Sequence, residues 1–199
     1  MTYRIREMFL TLQGEGANTG RAVVLCRFSG CNLDCDFCDT DHEGTGGPGG
    51  GVYSEPGELA DRAAELWPGS EPFRTILCTG GEPLLQLDES LINTLKRKNF
   101  TVLLETNGTR EIPPGIDWVC VSPKSREGMK VKSGHELKLV YPLEGLDPGD
   151  FEDLDFRRFY LQPLWGPETD LNTRKAVKYC LEHPRWMLSL QNHKLTGLP

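Results

Sequence analysis

Three cysteines sit close together in Cys31-Asn-Leu-Asp-Cys35-Asp-Phe-Cys38, a Cys-x3-Cys-x2-Cys spacing. Thiolates this near one another on a loop can hold three corners of an iron–sulfur cubane, since such clusters take cysteine sulfur as ligand. With three local ligands, the fourth iron would stay open to a small molecule. The same stretch admits a second reading. Cys31, Cys35 and Cys38 with His42 make a Cys3His set, which suits a tetrahedral structural zinc. Zinc loops usually bring paired knuckles, whereas a single Cys-x2-Cys pair occurs here. A chain of 199 residues also has core enough to fold without a metal staple. The spacing favours the cluster and leaves zinc as the alternative.

Other residues capable of chemistry follow apolar runs. Thr79-Gly80-Gly81-Glu82 ends one run, Glu105-Thr106-Asn107 a second and Ser122-Pro123-Lys124 a third. Gln162 closes a further run, and Gln191 and His193 follow the last. In α/β folds, chemistry gathers at the C-terminal ends of strands. Taken singly, each residue also has a plain explanation. Gln13-Gly14-Glu15-Gly16 suits a turn, Arg27 a structural ion pair within a strand, Asn107-Gly108 a turn and His193 a solvated tail. His135 and His183 read as structural.

The elements that must position these residues are legible as patterns. Strand signals fall at Ala22–Ser29, Thr75–Thr79, Thr101–Thr106, Trp118–Ser122, Glu136–Val140, Phe159–Gln162 and Trp186–Leu190. Several are nearly continuous apolar runs, as in parallel strands covered on both faces. One helix runs through Glu58–Trp67, opened by Ser54 or Pro56 and ended by Pro68-Gly69. Asp88 can cap a second, Glu89–Lys98, with Leu91, Ile92 and Leu95 on one face. Asp170 can cap a third, Asn172–Glu182, with Ala176, Val177, Cys180 and Leu181 inward and His183-Pro184 ending it. Strands alternating with crossovers predict an α/β fold with a mainly parallel sheet. A closed eight-fold barrel typically needs about 250 residues. The expectation is therefore one domain over residues 1–199, a partial, open β/α barrel of about six parallel strands with few helices. The stretch Glu43–Gly51, almost all Gly and Pro, reads as a flexible surface loop.

Composition narrows the class. A net charge of −7 leaves no basic surplus for nucleic acid or an anionic membrane. No apolar run reaches the roughly 18 residues of a membrane span, and the N-terminus lacks a signal-peptide pattern. The expected location is the cytoplasm. Seven cysteines, an odd number, argue against a disulfide framework. Cys26, Cys78, Cys120 and Cys180 lie mostly in apolar stretches and read as small buried hydrophobes.

With an aromatic, Phe37, before its last cysteine, the triplet resembles the signature of the radical S-adenosylmethionine superfamily. Thr79-Gly80-Gly81-Glu82-Pro83 resembles that superfamily's Gly-Gly-Glu-Pro element at the end of the next strand. The resemblance implies a [4Fe–4S] cluster on Cys31, Cys35 and Cys38 and S-adenosylmethionine chelating the open iron. The Gly-Gly-Glu-Pro strand end would bind the amino group of S-adenosylmethionine, where glycine lets backbone approach closely. A narrower resemblance covers nearly the whole chain. Thr11–Gly16, Arg27, Cys38-Asp39-Thr40, Glu105–Gly108, Ser122-Pro123-Lys124, Gln162-Pro163 and Gln191–Lys194 are similar to the 7-carboxy-7-deazaguanine synthase family. The Gly-rich loop after the cluster is the main departure.

That resemblance implies a radical ring contraction of 6-carboxy-5,6,7,8-tetrahydropterin with loss of ammonia, on the way to queuosine and other deazapurines. Leu12, Gln13, Gly14 and Glu15 would border the pterin, and Arg27 would pair with its carboxylate. Thr79 and Glu105 would hydrogen-bond the pterin edge, while His193 and the terminal carboxylate of Pro199 would close the pocket. Phe37, Asp39, Gly81, Ser122, Lys124 and Gln162 would contact S-adenosylmethionine. Thr40 would help hold a Mg2+ that also touches the substrate, a hard cation that wants oxygen ligands. The family further implies a homodimer and a flavodoxin-type electron donor. Two alternatives remain at this point: a glycyl-radical activase acting on a protein partner, and a zinc-binding interaction module.

Overall fold

In the computed structural model, which describes residues 2–69 and 72–198, the apolar runs assemble into a single nine-stranded sheet. The strands are β1 (Tyr3–Leu12), β2 (Ala22–Phe28), β3 (Gly51–Tyr53), β4 (Thr75–Gly80), β5 (Thr101–Thr106), β6 (Trp118–Val121), β7 (Ser133–Tyr141), β8 (Asp155–Pro163) and β9 (Trp186–Leu188). Their order is β3-β1-β2-β4-β5-β6-β7-β8-β9. From β2 to β9 every neighbouring pair is parallel, while β1 runs antiparallel to β2 and β3. The sheet ends at β3 and β9 without closing, which is the open barrel the sequence leads one to expect.

Neither antiparallel strand is visible as a sequence signal. In β1, Tyr3 and Ile5 are buried at odd positions and Met8 at an even one. A bulge explains the change: Ile5 pairs with Phe28 and Glu7 with Arg27, leaving Arg6 as the extra residue. Both parities thus face the same core, and the simple alternation that marks a half-buried strand is lost.

The outer face of the sheet is covered by three helices, α1 (Pro56–Leu66), α2 (Glu89–Arg97) and α3 (Thr169–Glu182). Glu55 and Glu58 form a capping box on α1, and Asp88 accepts from Leu91 N at 2.9 Å on α2. The first two pack Leu59, Ala63, Leu91, Ile92 and Leu95 on the first half of the sheet, together with Tyr3, Ile5 and Met8. The third sits more lightly. Its N-cap is Glu168 rather than Asp170, because a turn closed by Gly166 and Thr169 starts the helix earlier. Asn172 and Ala176 are buried and Cys180 is half-buried, but Val177 and Leu181 are exposed. The inward assignment of those two fails because Asn172 Nδ2 donates to Leu164 O at 3.0 Å and fixes the helix rotation. A short helix, α4 (Asn192–Thr196), closes the chain.

Residues 43–51 return from the cluster loop along the outer edge of β1. Gly47 N donates to Arg6 O at 2.9 Å and Met8 N to Pro48 O at 2.8 Å. A Cβ on Gly49 would lie 2.1 Å from Met8 O, so only glycine lets the two backbones come this close.

Candidate active site

Alternation along the parallel strands sorts the inner face into layers. Val23, Leu77 and Leu103 form a buried apolar floor, joined by Leu25 and Trp118. Two or four residues further along the same strands, Arg27, Thr79 and Glu105 point the same way, with Lys138 of β7 and Gln162 of β8 beside them. They ring a cavity of about 790 Å3 at the C-terminal ends of the strands.

Every described residue to which the resemblance gives an individual ligand or metal role lines this one cavity. From the loop after β1 come Leu12, Gln13, Gly14 and Glu15; from the strand ends, Arg27, Thr79, Gly81, Glu105, Ser122, Lys124 and Gln162; from the loop after β2, Cys31, Cys35, Phe37, Cys38, Asp39 and Thr40; from the C-terminal segment, His193. Pro199 lies outside the described residues.

The centre is a buried charge network. Lys138 is 4% exposed and its Nζ donates to Glu15 and, at 3.2 Å, to Glu105. Glu105 also accepts from Gln13 Nε2 at 2.9 Å and Thr79 Oγ1 at 3.3 Å. Burial alone would push the Glu15 carboxyl up, but the Lys138 charge and its hydrogen bond, with Gln191, hold it below the usual value. Burial likewise works against the charged Lys138, and the Glu105 and Glu15 carboxylates reverse it, raising the amine. The Glu15 carboxylate is thereby kept as an acceptor. Two residues back on β7, the buried Glu136 accepts from Ala17 N at 2.9 Å and so fixes the turn that follows Glu15.

Arg27 is held by Glu7, its partner across the β1–β2 ladder, through Nε at 2.7 Å. Its two terminal nitrogens are therefore the donors it can offer a ligand. The bulge at Arg6 is what turns Glu7 toward Arg27.

The cluster loop is tied to the end of β4. Gly81 N donates to Phe28 O and Glu82 N to Gly30 O, and a Cβ on Gly81 would fall 2.1 Å from Gly30 O. Glu82 itself is fully buried and does not line the cavity; Gly80 and Gly81 do. Its carboxylate accepts from Thr106 Oγ1 and Asn107 N, both at 2.8 Å, and from Leu84 N at 3.0 Å. It is a bracket between two strand ends, with burial pushing its carboxyl up against those donors.

Cys31, Cys35 and Cys38 form no disulfide, and burial raises the Cys35 thiol despite the Lys124 ammonium. Among the described residues no three His, Cys, Asp or Glu side chains converge as a single ion would need. Zinc gathers all its ligands within about 2.0–2.3 Å of one point, and His42 Nδ1 instead lies 3.5 Å from Glu43. Thiols spread around a loop suit a cubane, in which each binds a different iron. Beyond them, Gln162 Oε1 is buried without a hydrogen-bond partner among the described residues. A buried acceptor left open in a cavity wall fits a ligand that brings an N–H or O–H donor.

The closing segment reaches across the mouth. Asn192 N donates to Gly14 O at 3.0 Å, and Gln191 Nε2 donates to both Glu15 and Asp39. Lys194 also pairs with Asp39.

Relatives match the chain over its whole length. The chain is 51% identical to 7-carboxy-7-deazaguanine synthases of Bordetella pertussis and Caulobacter vibrioides, in each case covering 100% of both sequences. It belongs to the 7-carboxy-7-deazaguanine synthase family. The model of the radical SAM superfamily matches residues 25–125, the span that carries the cysteine triplet and the Gly-Gly-Glu-Pro element. The crystal structure of QueE from Escherichia coli superposes with a TM-score of 0.72 at 30% identity, covering 96% of this chain and 94% of that one. As a radical S-adenosylmethionine enzyme of this family, the chain uses a [4Fe–4S] cluster with S-adenosylmethionine. No described helix is long and apolar enough to cross a membrane.

Within that family frame, sequence reasoning missed Lys138 and Glu136, and it named Gln191 and Lys194 only within a motif, without a role in the network. The signal was present for the first two: charges at alternate positions in an otherwise apolar run, Glu136-Leu-Lys138-Leu-Val140.

Proposed function

We propose that the chain converts 6-carboxytetrahydropterin to 7-carboxy-7-deazaguanine with loss of ammonia, in the pathway to queuosine and related deazapurines. The observation that carries this is the pairing, within one cavity, of an acceptor wall with a guanidinium. Glu15 and Glu105, both held by Lys138, present carboxylate oxygens suited to the N–H donors of a pterin edge. Arg27, anchored at Nε, presents two terminal nitrogens to a substrate carboxylate. Leu12, Gln13, Gly14, Thr79 and His193 complete the pterin side, and the hydroxyl of Thr40 would contribute to a Mg2+ shared with the substrate.

Cys31, Cys35 and Cys38 would hold the cluster, and Phe37, Asp39, Gly81, Ser122, Lys124 and Gln162 would receive S-adenosylmethionine. Together these groups supply a hydrogen-abstracting carbon radical. The protein's part is positioning: fixing both ends of the pterin sets one carbon near the radical centre. Folding α4 over the mouth keeps water from a reactive substrate. A homodimer reduced by a flavodoxin-type donor completes the proposal.

An anaerobic assay with reductant, S-adenosylmethionine and 6-carboxytetrahydropterin tests it through product mass. The expected product is 7-carboxy-7-deazaguanine. Cleavage of S-adenosylmethionine without that product would overturn the substrate, and a colourless protein holding zinc but no iron would overturn the cofactor. Sizing chromatography and reduction by flavodoxin test the dimer and the donor.

A further inference from the structure

Gln191 stands where the two sides of the cavity meet. Its side-chain amide carries two N–H bonds, and Nε2 donates to Glu15 Oε1 at 3.1 Å and to Asp39 Oδ2 at 3.0 Å. At 8% exposure, both bonds form where water competes little and charged acceptors bind strongly. Glu15 belongs to the turn after β1, the pterin side. Asp39 follows Cys38, on the S-adenosylmethionine side. A single amide therefore bridges two loops that otherwise leave the sheet at different strands.

The surrounding contacts are lopsided. Toward the Glu15 turn, Ser189 Oγ accepts from Gly16 N at 2.9 Å, and Asn192 N donates to Gly14 O at 3.0 Å. The C-terminal segment thus grips that turn whatever Gln191 does. Toward the cluster loop, its hydrogen bonds among the described residues come from Gln191 and Lys194, both to Asp39 Oδ2. Lys194 otherwise lies over the Trp165 ring, 4.6 Å from its centroid. Of these two, Gln191 is the one that touches both carboxylates.

We propose that Gln191 is a positioning residue that couples the two ligand sites, so that S-adenosylmethionine and the carboxypterin each tighten the binding of the other. The proposal rests on the functional reading above, which supplies the two ligands. A ligand that orders one loop places one of the two carboxylates. The amide, already fixed by that carboxylate, then has less freedom to lose in fixing the other. Linkage makes the effect equal in both directions.

The test is the dissociation constant of S-adenosylmethionine on anaerobically reconstituted protein, with and without saturating 6-carboxytetrahydropterin. The cluster is left oxidised, so that no cleavage occurs. In the wild type the pterin should tighten S-adenosylmethionine by about five-fold or more, within the usual range of coupling between sites. Gln191→Ala, which removes both bonds, and Gln191→Glu, which sets a third carboxylate between Glu15 and Asp39, should bring that ratio to within about two-fold of one. Lys194→Met, which loses a partner of Asp39 alone, should weaken S-adenosylmethionine in both states and keep the wild-type ratio.

A wild-type ratio of one, a wild-type ratio retained in Gln191→Ala, or a ratio lost in Lys194→Met would each overturn the coupling. Equal weakening of both affinities in Gln191→Ala marks a merely structural residue and overturns it too. If the wild type binds S-adenosylmethionine but not the pterin, the functional reading falls and takes the coupling with it. If the pterin is turned over at a ratio of one, the coupling alone falls.

Discussion

Replacing Lys138 with methionine keeps the length and apolar stem of the side chain and deletes its charge. The side chain is 5% exposed and pairs with Glu15 and with Glu105. Removing one member of a buried ion pair costs about 3–5 kcal/mol, because the partner stays buried and uncompensated. Here the stranded carboxylates keep other donors: Gln191 Nε2 at 3.1 Å from Glu15, and Gln13 Nε2 at 2.9 Å and Thr79 Oγ1 at 3.3 Å from Glu105. The expected loss therefore sits at the lower end, about 3 kcal/mol. In a chain of 199 residues, 1 kcal/mol corresponds to about 2–4 °C, so Tm should fall by roughly 6–12 °C.

The pH dependence follows from the directions of the two pKa shifts. Glu15 titrates below its ordinary 4.5 and Lys138 above its ordinary 10.5. The carboxylate's share of stability is present above its unfolded value and lost as pH falls through its folded value. The amine's share is present below its unfolded value and lost as pH rises through its folded value. In Lys138→Met the Glu15 carboxyl, left buried without the ammonium, titrates upward, so protonation relieves it earlier as pH falls. Melts of both proteins at about pH 8 and about pH 5 should show the gap narrowing toward acid. A drop under about 2 °C at the higher pH, or a gap that widens toward acid, would refute the reasoning.

Gly14→Ala would set a Cβ 2.4 Å from His193 Nδ1 and 2.9 Å from His193 N. The displaced α4 should cost roughly 10–100-fold in turnover with cluster content unchanged, read by product formation beside iron analysis. Cys38→Ala should lose the iron and sulfide that Cys180→Ala retains, since Cys180 lies on α3, away from the cavity; iron and sulfide assays decide it. Asp88→Ala gives up the bond from Leu91 N and the one from Tyr3 Oη, both at 2.9 Å. It should lower stability by about 1–2 kcal/mol in thermal melts and leave turnover below the transition unchanged.

The parallel strands were legible because strands buried on both faces need continuous apolar runs, as in Thr75-Ile-Leu-Cys-Thr79 and Thr101-Val-Leu-Leu. β1 was not, since its bulge scrambles the alternation, and β3 is too short to carry a pattern. The face of α3 was misread because its Val177 and Leu181 suggested burial by type, while the buried Asn172 sets the rotation. In the site, the cysteine triplet and strand-end motifs were readable as local spellings. The Lys138 network was not, because Glu15, Glu105 and Lys138 come from three distant segments and meet only when the sheet is built. Glu82 carries the converse lesson: its place in a motif suggested ligand contact, and its carboxylate is spent joining two strand ends.

The extra residue in β1 has a consequence for comparing this chain with others. Arg6 divides the strand into two stretches of opposite parity, Tyr3 and Ile5 before it and Glu7 onward after it. Removing Arg6 itself would restore regular pairing and leave both stretches as they are, Ile5 opposite Phe28 and Glu7 opposite Arg27. What would go is the Arg6 carbonyl that accepts from Gly47 N. A straight β1, one residue shorter, thus calls for a different path through residues 43–51. An alignment that opens a one-residue gap at Arg6 keeps the core anchors and the carboxylate behind Arg27 in place, whereas a gap at Arg4 turns Tyr3 out of the core.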